Sequence, residues 1–199
     1  FYNDLGVDIT IVEALPSILP NEDTDISKIV KLNFEKRGIK IKTSSALKSV
    51  TTKENSVSAE IITNETVETI NSEKLILAIG IIANTEKLGL KDFNVKIDKG
   101  HIVTNEFLET DEKGVYAIGD ITDGPWLAHK ASHEGVLCVE KIAGHQNLKP
   151  IDKTSIPGCT YSRPQVASIG MTETQARSQN LNLKIGKFPF SGNGKAIAV

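Results

Sequence analysis

Cysteine, methionine and aromatic residues are scarce in this 199-residue chain. It contains two cysteines, one methionine and one tryptophan, and aromatic side chains make up 5% of its residues. Cys138 and Cys159 lie far apart in the sequence and match no metal-binding or redox spacing. This pattern excludes a disulfide-rich secreted scaffold, and we expect two free thiols in a reducing compartment, the cytoplasm.

Long hydrophobic runs and an excess of charge of one sign are also missing. The longest apolar run, "LILAIGIIA" at 75–83, is far shorter than the ~20 residues that span a bilayer, and no signal-peptide pattern is present. The formal net charge is -2, with acidic and basic side chains interspersed. We therefore expect no membrane partner and no nucleic-acid partner, and a small or neutral ligand instead.

The start of the chain has the pattern of a nucleotide-binding α/β fold. A helix end closed by Gly6 is followed by "VDITIVE" at 7–13, which has the β-branched composition of a buried strand and ends at Glu13. In a dinucleotide-binding βαβ unit, an acidic residue about 20 positions after the glycine loop binds the ribose hydroxyls. Glu13 is a candidate for that role, with a solvated loop acid as the alternative. The glycine loop would precede Phe1, so we expect the chain to begin inside a Rossmann unit.

A helix and a run of short strands are predicted next. "DTDISKIVKLNFEKRG" has Asp23 or Asp25 as N-cap and Gly38 as stop, and four apolar residues share one face: Ile26, Ile29, Val30 and Phe34. "IKIK", "SVSAEII", "ETVETI" and "KLILAI" then indicate strands, the first three as part of a small antiparallel meander. "KLILAI" is continuously apolar, which predicts a central parallel strand ending at Gly80. Gly80 is either a cofactor contact or a simple turn.

Residues 91–120 carry the first specific motif. "NVKIDKGHIVTNEFLET" predicts a hairpin around "DKG", and the strand "VYAI" leads into Gly119 and Asp120. The stretch "TDEKGVYAIGD", from Thr110 to Asp120, resembles the second flavin-binding signature of the pyridine-nucleotide disulfide oxidoreductases. That resemblance implies that the Asp120 carboxylate accepts a hydrogen bond from the ribityl chain of FAD. In isolation, Gly-Asp would more often be an ordinary turn.

The next segment narrows the resemblance. "GPWLAHKASHEG" is similar to the corresponding segment of the dihydrolipoamide dehydrogenases, where the residues matching Trp126, Leu127, Ala128 and His129 lie along the flavin ring. A helix that starts without carboxylates leaves its free amides and positive dipole end available to electron-rich flavin atoms. The alternatives are that the histidines are surface residues and that Trp126 is part of the core; the family usually has methionine at this place.

The last block resembles the interface domain of the same class. "SIPGCTYSRPQVASIGMTETQARSQN" predicts strands at 159–161 and 166–169, then a helix capped by Thr172 with Gln175 in the capping-box position, then another strand. "KFPFSGNGKAIA" at 187–198 is similar to the same domain. We therefore expect a homodimer.

The expected fold class is α/β, built in three parts. A Rossmann-like nicotinamide-binding domain with a β-meander would occupy residues 1–88, part of an FAD-binding domain residues 89–152, and the start of an α+β interface domain residues 153–199. "GIIANT" departs from the family, since Ile81 and Ala83 stand where Arg or Val and then Pro are common. The redox cysteines, the first flavin motif, the nucleotide glycine turn and the histidine-glutamate pair of the family are missing from the chain. We therefore name no catalytic residue and expect an internal fragment.

The resemblance implies a definite activity for the whole protein. It would oxidise dihydrolipoyl groups of 2-oxo acid dehydrogenase complexes through FAD and a redox disulfide, with NAD as acceptor and lipoyl domains as partners. Glu13 favours NAD, because a carboxylate accepts both ribose hydroxyls and repels a 2′-phosphate. The alternatives are another flavin disulfide reductase, of the mercuric or glutathione reductase type, and a non-catalytic dimerising or structural piece.

Overall fold

In the computed structural model, which describes residues 1–198, a short 3-10 helix (Tyr2–Leu5) that ends at Gly6 precedes a parallel β-α-β unit. Strand β1 (Thr10–Val12) and strand β2 (Lys40–Lys42) are joined through helix α1 (Thr24–Lys36). The strands pair in parallel, with Ile11 opposite Ile41. Parallel strands connected by a helix are the building block of α/β folds, so the predicted fold class is confirmed.

Helix α1 has the predicted limits but buries a different face. It begins after Asp23, and Gly38 ends it with a φ of 85°. Of the four apolar residues predicted to share one face, Val30 is buried, whereas Ile26 and Ile29 are exposed; Ser27 is the other buried residue of the helix. The Ser27 hydroxyl donates to the Leu19 carbonyl at 3.0 Å, so this side of the helix contacts the segment that precedes it, a polar contact that hydrophobic spacing does not indicate.

The β1 segment also differs from its prediction. Only Thr10–Val12 form a strand, and the side chains of Val7 and Val12 are exposed rather than buried. Within the described residues β1 pairs with β2 alone, so no second neighbour covers it. Burial of a strand depends on its neighbours as well as its own composition.

The chain from Met171 onwards belongs to the same compact unit as Phe1–Ser45. Helix α3 (Glu173–Ser178) starts with the predicted capping box, in which the Thr172 side chain accepts from the Gln175 N–H. The strand predicted after α3 does not form, and helix α4 (Gly194–Ala198) ends the described chain.

The second compact unit, Ala46–Gly170, begins with the predicted meander. Strands β3 (Ser45–Lys53), β4 (Ser56–Thr63) and β5 (Thr66–Ser72) form one sheet in that order. β4 and β5 are antiparallel, and Ile61 in β4 is fully buried. The alternating pattern and the polar turns predicted β4 and β5 correctly. "IKIK", expected in the same meander, instead forms β2 and pairs in parallel with β1, and β3 takes its place in the sheet.

The segment "KLILAI" at 74–79 does not form the predicted central strand. It has no regular structure, and Ile76, Leu77 and Ile79 are 71%, 59% and 86% exposed. An apolar run becomes a central strand only where strands on both sides supply hydrogen bonds. None of the strands in residues 1–198 pairs with it. Gly80 follows, with a φ of 143°.

The rest of this unit contains two hairpins and a helix. Strands β6 (Ile97–Asp98) and β7 (His101–Ile102) form the predicted hairpin, and β8 (Gly158–Thr160) pairs antiparallel with β9 (Val166–Ser168). The predicted strand "VYAI" is reduced to a single bridge between Glu109 and Tyr116. Helix α2 (Ala128–Ile142) lies between the hairpins in sequence. No helix in the described part of the chain is long and apolar enough to cross a membrane.

Helix α2 packs through its inner face onto the residues that precede it. Leu137 and Cys138 are buried together with Leu108. Burial raises the pKa of the Cys138 thiol, which keeps it protonated, and the Cys159 thiol is free and exposed. This core fixes α2 relative to the motif that ends at Asp120.

Candidate functional site

The loop between Gly119 and Gly124 presents Asp120 in front of helix α2. Upstream, the buried Thr110 closes a turn: its backbone N–H and its hydroxyl both donate to the Val115 carbonyl, each at 2.9 Å. Residues Gly119–Ile121 then form one turn of 3-10 helix. Thr110, at the start of the motif, therefore stabilises the turn that precedes Asp120 in the chain.

Gly119 is the point where this loop meets helix α2. Its φ is 76°, a left-handed conformation that favours glycine, and an added Cβ would lie 3.4 Å from the Ala131 Cβ. Its N–H donates to the Glu134 carboxylate at 2.7 Å. The loop is thus held by a charge-assisted hydrogen bond as well as by packing.

A buried ion pair lies beneath the loop. Lys130 and Glu134 are four residues apart on α2, their charged atoms are 3.1 Å apart, and their side chains are 1% and 5% exposed. The Lys130 ammonium also donates to the Gly119 carbonyl at 3.0 Å and to the Thr122 hydroxyl at 3.2 Å. Its three protons therefore have three acceptors, which is what a buried ammonium requires.

The stem of Lys130 occupies space that a side chain at position 124 would need. Gly124 has a φ of 127°, and an added Cβ would lie 3.1 Å from the Lys130 Cε. The loop can therefore pass over the lysine stem only because residue 124 is a glycine. Glycines at both ends of the loop keep it close to the helix.

The Asp120 side chain takes no part in this network. Asp120 is exposed, and within residues 1–198 its carboxylate has no hydrogen-bond partner. Among residues 1–198 no side chain caps the start of α2, and the first turn of this helix contains no acidic residue. A free carboxylate beside a helix N-terminus with open N–H groups offers both an acceptor for a polyol hydroxyl and donors for electron-rich atoms. These groups fit the ribityl chain and ring of a flavin.

The four predicted residues before and at the start of α2 have different surroundings. Leu127 is the N-cap residue with an extended backbone, and Ala128, the first helical residue, is exposed. The His129 ring is exposed as well, and its Nε2 lies 2.8 Å from the Pro157 carbonyl, so His129 contacts the segment that leads into β8. Trp126 is half-buried, with its ring centroid 5.5 Å from that of His101.

An open groove of about 730 Å³ lies beside the same loop. Thr122 and Glu134 line it together with His101, whose Nε2 is buried and has no hydrogen-bond partner in the described part of the chain. At its rim Lys153 donates to the Asp123 carboxylate at 3.0 Å. This hydrogen bond and the lysine charge lower the pKa of Asp123.

Glu13 and Gly80 lie apart from this loop in the sequence. The Glu13 carboxylate accepts from the Leu15 N–H at 2.9 Å, which places it directly after the carboxyl end of β1. Gly80 has space around the position of a Cβ and lies in the exposed segment after the meander. The structure thus brings Asp120 and Trp126–His129 together in one region, whereas Glu13 belongs to the other compact unit.

Comparison with known proteins identifies the family. The model of the pyridine nucleotide-disulphide oxidoreductase family matches residues 1–135 of the chain. The chain belongs to this family. The dimerisation domain of the pyridine nucleotide-disulphide oxidoreductases matches residues 156–199.

Two curated relatives with similar sequences are dihydrolipoyl dehydrogenases. The chain is 46% identical over 200 residues to a dihydrolipoyl dehydrogenase of Rhizobium etli, with all of the chain and 42% of the relative covered. It is 49% identical over 199 residues to one of Zymomonas mobilis, with all of the chain and 43% of the relative covered. The chain therefore spans about two fifths of the length of these relatives.

Two solved structures share the fold. LpdA from Mycobacterium tuberculosis gives a TM-score of 0.88 at 24% identity, covering 99% of this chain and 42% of that one. RclA from Escherichia coli, a HOCl-induced flavoprotein disulfide reductase, gives a TM-score of 0.86 at 22% identity, covering 99% and 45%. At these identities the likeness concerns the fold alone.

Two residues that hold the family motif in place were not predicted from the sequence. Lys130 and Glu134 lie within the quoted segment "GPWLAHKASHEG", and their spacing suits an ordinary surface pair on a helix. The available signal was their position: both fall on the same helix face as Leu137 and Cys138, which are buried. A charged pair in the buried stripe of an amphipathic helix indicates a polar partner beneath the helix.

Proposed function

We propose that the protein is a dihydrolipoyl dehydrogenase that binds FAD at Asp120 and the start of α2. The observation that carries this proposal is the loop of residues 119–124, held on α2 by three hydrogen bonds of the Lys130–Glu134 pair, while the Asp120 carboxylate has no partner in the described part of the chain. The similarity to dihydrolipoyl dehydrogenases along the whole chain supports the choice of substrate.

The reaction in this proposal transfers two electrons from a dithiol to NAD. The dihydrolipoyl group loses two electrons and two protons and becomes a disulfide, while NAD⁺ takes up a hydride and one proton is released. When bound, FAD supplies the two-electron chemistry that links a dithiol to a nicotinamide. The residues of this chain bind and orient the two cofactors, and no catalytic residue is assigned among them.

Asp120 and the residues that follow would hold the flavin. The Asp120 carboxylate would accept a hydrogen bond from a ribityl hydroxyl, and the open N–H groups at the start of α2 would face the electron-rich side of the ring. Trp126, Leu127, Ala128 and His129 complete the proposed flavin contacts. The His129 ring would do so from the edge, because its Nε2 already contacts the Pro157 carbonyl.

Glu13 and Gly80 are the proposed NAD contacts. Glu13 follows a parallel strand of a β-α-β unit, the position at which a carboxylate binds the ribose hydroxyls of NAD. Within this proposal residues 1–88 bind NAD, residues 89–152 belong to the FAD-binding domain, and residues 153–199 form the interface domain. The match of residues 156–199 to the dimerisation domain supports a homodimer.

The partners and location follow from the same proposal. Lipoyl domains of 2-oxo acid dehydrogenase complexes would deliver the dihydrolipoyl group, and the protein would work in the cytoplasm. Two free thiols, one of them exposed, support a reducing compartment.

The test is an activity measurement on the complete gene product that carries this sequence. We expect NAD to be reduced by dihydrolipoamide, with little reduction of NADP, and Asp120→Asn to lower the affinity for FAD. Turnover of oxidised glutathione with NADPH instead would contradict the proposed substrate and favour another flavin disulfide reductase. A purified protein that holds no flavin would contradict the whole proposal.

A further inference from the structure

We infer that Lys130 and Glu134 act as a positioning pair that sets the direction in which Asp120 presents its carboxylate to a ribityl hydroxyl. This inference rests on the proposed function, because it takes FAD as the ligand of Asp120. The two side chains do not face the ligand themselves, since they are 1% and 5% exposed beneath the loop. They act through the backbone of the residue before Asp120.

Lys130 contacts the peptide bond between Gly119 and Asp120. The Gly119 carbonyl, which belongs to that peptide, accepts from the Lys130 ammonium at 3.0 Å and from the Thr122 hydroxyl at 2.8 Å. Because a peptide unit is planar, fixing its carbonyl fixes the plane from which the Asp120 backbone continues. The Lys130 contact therefore limits where the Asp120 side chain can point.

Glu134 holds the other side of Gly119, its backbone N–H. Its N–H donates to one oxygen of the Glu134 carboxylate at 2.7 Å, while the other oxygen faces Lys130 at 3.1 Å. The pair thus binds both the donor and the acceptor of one residue that has a left-handed φ. A single backbone residue held by two opposite charges has little freedom to rotate.

Stability alone is a weak reason for such a pair. Removing two charges from water costs free energy, and apolar residues of similar volume often stabilise a fold as well or better. Here both charges are directed at one loop residue rather than at each other alone. The arrangement therefore favours positioning of the loop over general support of helix α2.

The experiment measures the affinity for FAD and the visible circular dichroism of bound flavin in the complete gene product. The variants are Lys130→Met, Asp120→Asn and the two combined. We expect each single variant to weaken FAD binding by about tenfold and the combined variant to be no weaker than Asp120→Asn alone, because one charge-assisted hydrogen bond is at stake. The flavin circular dichroism should change in Lys130→Met.

Three further variants separate positioning from folding. Lys130→Met/Glu134→Gln removes both charges without leaving an unpaired carboxylate, and it should weaken FAD binding like Lys130→Met. Lys130→Arg keeps a cation and should restore most of the affinity. Val30→Ala, a cavity under helix α1 in the other compact unit, should lower the unfolding temperature and leave the affinity of the folded protein for FAD unchanged.

The outcomes distinguish failure of the positioning role from failure of the proposed flavin site. If Asp120→Asn lowers FAD affinity and Lys130→Met/Glu134→Gln does not, the positioning role is wrong and the flavin site stands. Effects of Lys130→Met and Asp120→Asn that multiply would show that the pair supports the fold independently of Asp120, which also overturns the inference. If Asp120→Asn itself leaves FAD binding unchanged, the proposed flavin site is wrong and the inference fails with it.

Discussion

Helices α1 and α2 each carry a lysine followed four residues later by a glutamate, and the two pairs behave oppositely. Lys31 and Glu35 on α1 are 3.9 Å apart with side chains 38% and 42% exposed, whereas Lys130 and Glu134 are enclosed. An exposed pair of this kind contributes little, because water already solvates both charges. The same two residue types at the same spacing therefore form an exposed pair on α1 and a buried pair that binds a loop on α2.

The N-termini of the two helices also differ, in the acidic residues that they carry. Helix α1 has Asp23 as its N-cap residue and Asp25 in its first turn, and both carboxylates have protein partners: the Glu173 N–H at 3.2 Å and the Lys187 ammonium. Helix α2 has no acid in its first turn, and no side chain in the described part of the chain caps it. The helix whose N-terminus is used by the fold carries carboxylates there, and the helix proposed to bind a cofactor has none.

The largest expected effect comes from breaking the buried pair. Lys130→Met leaves the Glu134 carboxylate buried without its cation, so we expect it to lower the free energy of unfolding by about 3 kcal/mol. Lys31→Met on α1 is the matched control and should change the free energy of unfolding by less than about 0.5 kcal/mol. Chemical denaturation of the complete gene product measures both, and equal effects would show that burial does not distinguish the pairs.

A smaller effect is expected from glycine substitutions on the two sides of the loop-helix contact. Gly119→Ala forces a side chain into the left-handed region and should cost about 1–2 kcal/mol. Gly135→Ala within α2 should stabilise the protein by about 0.5–1 kcal/mol, because alanine favours a helix and its Cβ would meet the Ile118 Cδ1 at an ordinary 3.6 Å. The unfolding temperatures of the two variants should move in opposite directions; a shift of the same sign would contradict this.

The open start of α2 can be altered without touching the buried pair. Ala128→Glu places a carboxylate in the first turn, as in α1, and should stabilise the helix by about 0.5 kcal/mol. The same charge should weaken FAD binding by about threefold, because it competes for the positive end of the helix. Ala128→Gln introduces a side chain of the same size without the charge, so any steric effect at this proposed flavin contact is common to both variants and Ala128→Glu should bind FAD about threefold more weakly than Ala128→Gln. If both variants bind FAD equally, the helix end contributes nothing to the flavin.

The smallest expected effect is the pH dependence of the carboxylate at the start of α1. The hydrogen bond from Lys187 and its charge lower the pKa of Asp25, and Asp25 in turn raises the pKa of Lys187. A carboxyl whose pKa is lowered on folding stabilises the protein above its unfolded pKa, and this contribution is lost as the pH falls through the folded value. The difference in unfolding temperature between the protein and Asp25→Asn should therefore be present at about pH 7 and shrink towards about pH 3. A difference that stays constant over this range would contradict the pairing.

The sequence predicted local features well where neighbouring residues determine them. The capping box at Thr172, the hairpin around "DKG" and the end of α1 at Gly38 depend on residues within a few positions, and all three are present. Asp120 stands where the motif indicates, although its flavin contact stays a prediction. The turn held by Thr110 fits the same motif.

The features that the sequence did not predict depend on partners distant in the chain. "KLILAI" has the composition of a central strand but no neighbouring strand among the described residues, and the buried side of α1 includes Ser27, whose hydroxyl donates to the Leu19 carbonyl. From the sequence alone, Lys130 and Glu134 resemble a solvated pair. In the structure the loop at Gly119 covers them. Composition and spacing describe one element at a time, whereas these three results depend on what lies opposite.

The enclosure of Lys130 has a consequence for its chemical reactivity. A lysine reacts with acylating reagents through the lone pair of its neutral amine, and the Lys130 ammonium donates to three acceptors beneath a loop that excludes solvent. Exposed lysines such as Lys31 and Lys153 have no such protection. Lys130 should therefore remain unlabelled while the loop is closed and react once it opens, so the acylation rate of this one amine reports how often the loop leaves the helix.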